Sequence, residues 1–246
     1  TCYDQSTSDI FYFSAAAGAG SIDPKLLPMV PFFCYAFTKM GTAKRDYMEL
    51  ARLIDRYTGG VGASSQARTK FDEKNSSLPL VILSGKCLNY NQKKLFNLIQ
   101  ELTSQFKFSN FDRLKQVLLE YRAALESMVV HNGHRLAISL SSRNFSSTNM
   151  LNEIWGGAHQ LRTIKALTNQ LTKEDLKTCI IQLSQIADTL FHQENLKMAL
   201  IGDNKSLERA IAAAEDLKSS LAQSGSMGFT PPLISIENEL PREGWS

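Results

Sequence analysis

Apolar and polar positions change period several times along the chain, and each change marks an element. Ile10 to Ala17 (IFYFSAAA) is aromatic and β-branched at its start and closes in a Gly-Ala-Gly turn, which predicts a strand. Asp23-Pro24 supplies an N-cap followed by proline at a first helical position, so a helix is expected to run to about Met40. A second helix from Asp46 carries Tyr47, Leu50, Leu53/Ile54 and Tyr57 on one face and stops at Thr58-Gly59-Gly60. Val61 to Lys70 and Leu78 to Leu88 read as a hairpin around a polar turn.

Helix dominates the middle of the chain. Asn91 to Phe106 and Phe111 to Val130 are amphipathic, the second with Leu114, Val117/Leu118, Tyr121 and Leu125 at helical spacing. A helical stretch from about His134 to Gln170 is interrupted near Arg143-Asn144 and at Gly156-Gly157, and another helix spans roughly Lys173 to His192. Leu196 to Ile201 reads as a short strand, and Leu207 to Leu221 carries the stripe of a last helix. Gln223 to Ser246, with Pro231, Pro232 and Pro241, reads as a linker with few contacts to the body. The expected architecture is α+β, a largely antiparallel sheet with helices packed over one face. Residues 1–222 form the domain, and 223–246 lead toward a following domain.

Composition narrows the function. The 246 residues carry 27 basic and 24 acidic side chains, interspersed, so no cationic stripe points to nucleic acid. No apolar run is long enough to cross a bilayer, so no membrane partner is expected. Cys2, Cys34, Cys87 and Cys179 are scattered without a C-x-x-C pair, which favours reduced thiols. The start at Thr1 and the stop on Arg242-Glu-Gly-Trp-Ser246 suggest a piece of a longer chain.

Local chemical signals have bland readings. His131-Asn-Gly-His134, with Glu126 a turn earlier, is the one close histidine pair, but Asn-Gly reads as a helix-ending turn and a metal site needs more converging ligands. His159 and His192 stand alone. Thr58-Gly-Gly-Val-Gly62 lacks the Gly-Lys-Ser/Thr ending of a phosphate loop. Glu120 and Glu126 read as solvated helix charges, and the hydroxyl-rich Ser139 to Ser147 reads as a loop without a nucleophile frame.

Several phrases together resemble one domain of the insulinase/pitrilysin-type zinc metalloproteases, on the presequence-protease branch. They are Leu26-Leu27-Pro28 leading into Phe33-Cys34-Tyr35, Thr38-Lys39-Met40-Gly41-Thr42, Lys44-Arg45-Asp46-Tyr47, Thr58-Gly59-Gly60 and Gly202-Asp203. The resemblance implies the noncatalytic third domain, the first of the C-terminal half, in molecules whose two halves close around a peptide chamber. In the catalytic domain of that family the corresponding helix carries H-x-x-E-H, two histidines for zinc and a glutamate as base. Counted back from Gly41-Thr42, those positions fall on Phe32, Tyr35 and Ala36. Phenyl and methyl groups have no lone pair, and an unperturbed phenol titrates at about 10. The degenerate positions therefore imply no catalytic residue, metal or cofactor in this chain, with zinc held elsewhere in the parent enzyme. Implied partners are the N-terminal catalytic half, the following C-terminal domain and short unfolded peptides. The alternative is an inactive scaffold or presequence-binding subunit related to processing peptidases. A bacterial cytoplasm or an organellar matrix fits either reading.

Overall fold

The computed structural model describes residues 1–71, 76–105, 110–223 and 228–230. Five strands, β1 (Cys2–Asp4), β2 (Ile10–Gly18), β3 (Val61–Thr69), β4 (Ser77–Leu88) and β5 (Leu196–Gly202), form one sheet in the order β1-β5-β2-β4-β3. Every pairing is antiparallel except β1 with β5. Sequence reasoning missed β1 because three residues are too few to display a period. Eight helices accompany the sheet among the described residues: α1 (Val30–Ala36), α2 (Tyr47–Tyr57), α3 (Gln92–Ser104), α4 (Phe111–Ser142), α5 (Ser147–Gly156), α6 (Ala158–Thr168), α7 (Lys173–Leu190) and α8 (Asn204–Ser219).

The core lies between the helices and one face of the sheet. Along β2, Phe11, Phe13, Ala15 and Ala17 are buried while the residues between them are not, the alternation of a half-covered strand. Phe13 meets Phe96 of α3 edge-on, with ring centroids 5.5 Å apart. Val81 and Leu83 of β4 and Leu200 of β5 continue the same layer.

Caps set the helix starts. Asp46 accepts from Glu49 N at 2.8 Å to open α2, and Thr172 and Asp175 form a reciprocal capping box at α7. Gly60, at φ +123°, takes the left-handed turn between α2 and β3. At the strand–helix turns, Asn89 Nδ2 donates to Asp9 Oδ1 (3.1 Å) and Asp203 Oδ2 (2.8 Å), and Ser206 Oγ donates to Asn89 Oδ1 (2.8 Å). This ties the start of β2, the end of β4 and the start of α8 into one polar knot.

Three expectations need correction. The helix expected from Asp23 to Met40 is α1 alone, preceded by a 3-10 turn at Leu27–Met29, because Pro28 and Pro31 cannot donate backbone hydrogen bonds. Asn132 interrupts the helix as expected, with non-helical backbone (φ −133°, ψ 32°), and a second helical segment of α4 continues directly from there to Ser142. Ser139 to Ser147 is therefore no loop; it contains the end of α4, a 3-10 turn at Arg143–Phe145 and the Ser146 cap of α5, which accepts from Asn149 N at 3.1 Å.

The third concerns the chain after Gln223. Residues 224–227 and 231–246 lie outside the described residues, but Gly228 is held firmly against the body. Gly228 N donates to Asn195 Oδ1 at 2.8 Å, and Gly20 N donates to Gly228 O at 2.7 Å. Asn195 is fully buried, and its Nδ2 donates to Gly18 O (2.8 Å) and Leu190 O (3.1 Å). A side chain on Gly18 would place its Cβ 2.2 Å from the carbonyl carbon of Gly228, so the strap crosses only because Gly18 is bare.

Candidate functional site

α1 rests on α4 at the positions singled out by the metalloprotease resemblance. Phe32 and Ala36 are fully buried and Tyr35 is half-buried. Tyr121 of α4 fills the space facing them, its ring 5.5 Å from that of Phe32 and 4.9 Å from that of Tyr35. Lys39 Nζ caps the outer side of Tyr35 at 3.7 Å from the ring centroid, a cation–π contact. Behind the rings, Gln160 Nε2 donates to Tyr121 Oη at 3.3 Å. Burial pushes the Tyr121 phenol up to about 12, and the Gln160 hydrogen bond offsets only part of that. The pocket offers aromatic faces where a zinc site needs imidazole and carboxylate lone pairs, and the residues present do not fit a metal.

The α4 carboxylates are engaged elsewhere. Glu120 lies 3.8 Å from Arg113 Nη1, and Glu126 accepts from Arg122 Nε at 3.0 Å. Arg122 also reaches Thr168 and Asn169, tying α4 to the end of α6. His131 and His134 are exposed on either side of the Asn132 kink, and no cluster of three metal-ligating side chains occurs among the described residues. Thr58 to Gly62 joins α2 to β3, and its amides are used internally: Thr58 N donates to Ile54 O (3.0 Å), Gly59 N to Lys86 O (2.8 Å) and Gly60 N to Thr58 Oγ1 (3.1 Å). His192 is buried ahead of β5, its backbone bridged to Ala222.

Two buried carboxylates escaped the sequence reading. Glu101 of α3 accepts from the Thr42 hydroxyl and pairs with Arg45. The phrase Gly41-Thr42-Ala43-Lys44-Arg45 thus builds a turn clamped onto α3: Arg45 N also donates to Thr42 Oγ1 at 3.0 Å. Glu153 of α5 is fully buried and accepts from the Ser139 hydroxyl. His159 N donates to Glu153 Oε1 at 3.2 Å, and His159 Nδ1 lies 2.9 Å from the same oxygen. Serine, glutamate and histidine meet here, but the carboxylate stands between the other two. A serine nucleophile needs the imidazole next to its hydroxyl, so this arrangement is a helix-joining clamp.

The chain as a whole has counterparts among known proteins. The fold is that of peptidase M16 domains: a structure described as the peptidase M16 inactive domain from Pseudomonas fluorescens superposes with a TM-score of 0.56 at 18% identity, covering 96% of this chain and 50% of that one. A conserved protein from Enterococcus faecalis V583 superposes with a TM-score of 0.65 at 9% identity, covering 92% and 51%. The family model for the domain associated with peptidase family M16, subfamily C, matches residues 1–167, and the chain belongs to that family. Among curated relatives, presequence protease 1, chloroplastic/mitochondrial, of Arabidopsis thaliana is 30% identical over 221 residues, 87% of this chain and 20% of the relative. The mitochondrial presequence protease of Danio rerio is 27% identical over 219 residues, 89% and 21%. The chain spans about a fifth of the length of these relatives. It is an insulinase-family, presequence-protease-like domain.

Proposed function

We propose that this chain is a noncatalytic domain of a zinc-dependent metalloendopeptidase that degrades short unfolded peptides, and that it forms part of the half-shell enclosing the substrate. The carrying observation is packing: Phe32, Tyr35 and Ala36, the positions that the family resemblance assigns to the zinc motif, face the Tyr121 ring and offer no metal ligand. Residues 1–222 are the domain and residues 223–246 lead to a following one. The zinc, the catalytic base and the remaining chamber walls belong to other parts of the protein. Its partners are the catalytic half and the following domain of the same polypeptide together with peptide substrates, in a bacterial cytoplasm or an organellar matrix. The names of the relatives, presequence proteases of mitochondria and chloroplasts, support this reading.

The test is elemental analysis of the purified chain after dialysis, with a peptide-cleavage assay on the same sample. The expected result is no stoichiometric zinc and no cleavage. One tightly held zinc per chain would overturn the reading.

A further inference from the structure

The polar knot of Asn89 and Ser206 also holds Gln92. Gln92 Nε2, in the first turn of α3, donates to Ser206 Oγ, in the first turn of α8, so the two helices start side by side. They leave the sheet after β4 and β5, two strands that both run antiparallel to β2, and therefore continue in the same direction. Between them opens a cleft of about 440 Å³, within the size range of small-ligand sites.

The knot fixes which atom Gln92 leaves over. Asn89 Nδ2 donates to Asp9 and Asp203, so Asn89 Oδ1 accepts from Ser206 Oγ, and Ser206 Oγ accepts in turn from Gln92 Nε2. Gln92 is only 5% exposed and lines the cleft, and its Oε1 has no hydrogen-bond partner among the described residues. An acceptor so deeply placed calls for a donor.

The charges on the walls are free as well. Lys93 and Arg209 line the end where both helices begin, and Asp216 lines the cleft two turns past Arg209, about 11 Å along α8 at 5.4 Å per turn. None of the three makes an ion pair among the described residues. Lys93 in the first turn of α3 and Asp216 in the last turn of α8 each stand against their own helix dipole. Neither stabilises its helix, and each gains from a bound group of opposite charge. Tyr90, 78% exposed, offers a ring to a side chain at the cationic end.

We propose that the α3–α8 cleft binds a free peptide of about three residues by both of its ends. The terminal carboxylate meets Lys93 and Arg209, the terminal ammonium meets Asp216, and a peptide N–H donates to Gln92 Oε1. Three extended residues span about 10 Å, which matches the separation of the two poles. An inorganic anion would satisfy the cations and leave Asp216 and Gln92 Oε1 unmatched. A segment inside a folded chain has neither terminus to offer. The charges of the cleft select this ligand whether or not the parent is a peptidase, although such peptides are what an endopeptidase releases.

The probe is trialanine, titrated into the full chain and followed by backbone amide NMR shifts, beside its N-acetylated, C-amidated and doubly blocked forms. At millimolar concentration trialanine should shift the amides of residues 92–100 and 209–217. Each single block should weaken binding about two- to fivefold, the range of one exposed ion pair. Asp216→Asn should abolish the difference between the free and the N-acetylated peptide, and Arg209→Gln should shrink that between the free and the C-amidated one. Both positions are exposed, so the fold tolerates these changes. Absence of shifts along α3 and α8, equal affinity for the doubly blocked peptide, or end preferences that survive both substitutions overturn the proposal. Inorganic phosphate binding there as tightly as trialanine overturns it in favour of a simple anion site.

Discussion

Glu153 is a fully buried carboxylate whose ionised form is held by three donors from two directions. Burial alone would raise its pKa, but the hydrogen bonds from His159 and Ser139 outweigh that and leave it below the usual carboxylate range. A folded-state pKa below the unfolded value of about 4.3 means that the clamp contributes full stability above that pH. The contribution is lost as pH falls through the folded pKa. Glu153→Gln keeps the volume and removes the charge, and should cost roughly 2 kcal/mol at pH 7, the scale of a hydrogen bond to an ionised group. Urea melts at pH 7 and pH 3 should show the gap between variant and parent chain shrinking with acid. A gap that is constant across this range would show that the carboxylate is not the working group. Nothing in the sequence distinguishes Glu153 from a solvated helix charge, because its partners come from the preceding helix and from beyond the Gly156-Gly157 break. Gly157 is the one local sign: a Cβ there would sit 1.8 Å from Glu153 Oε2, so only glycine leaves room for the carboxylate.

At the scale of elements, periodicity located whatever was long enough to repeat. The amphipathic α2, α3, α7 and α8 were legible from their stripes, and β2 to β5 from strand-length runs bounded by turn residues. α1 was overextended because its apolar run continues past the point where hydrogen bonding fails at Pro28 and Pro31. Its importance lies in packing. Phe33 and Phe37 are buried and share a contact with Phe191 at the end of α7, with ring centroids 6.0 and 5.6 Å away. Phe33→Ala and Phe37→Ala should each destabilise by about 3 to 5 kcal/mol. That is a large part of a typical margin of about 5 to 15 kcal/mol. Because both rings touch Phe191, pairing either change with Phe191→Leu should be non-additive by about 0.5 kcal/mol or more. Denaturant melts that overlay the parent chain would mean that this end of α1 does not bear on the core.

At the scale of the whole molecule, a fold shared with peptidase M16 domains carries packed rings at the positions that the family resemblance assigns to the zinc motif. Of this site, Phe32, Tyr35 and Ala36 were legible in the sequence and Lys39 follows Tyr35 at i, i+4 spacing, whereas Tyr121 and Gln160 join it only through the fold. This packing makes a metal site hard to install there. Introducing Phe32→His, Tyr35→Glu and Ala36→His together would restore the letters of H-x-x-E-H on α1. The Tyr121 ring would still stand in the way, and Glu120 and Glu126 would remain committed to Arg113 and Arg122. The new imidazoles at positions 32 and 36 would have no prepared outer partners to fix their orientation. Burying such groups without partners also costs on the order of 2 to 7 kcal/mol each. The triple variant should therefore hold no stoichiometric zinc after dialysis, cleave no peptide, and unfold at markedly lower denaturant than the parent chain. Adding Tyr121→Ala to open space should not rescue it, because room without a third ligand and oriented histidines does not make a zinc site. Tight zinc binding by either variant would mean that α1 and α4 still hold a metal geometry that the rings only conceal.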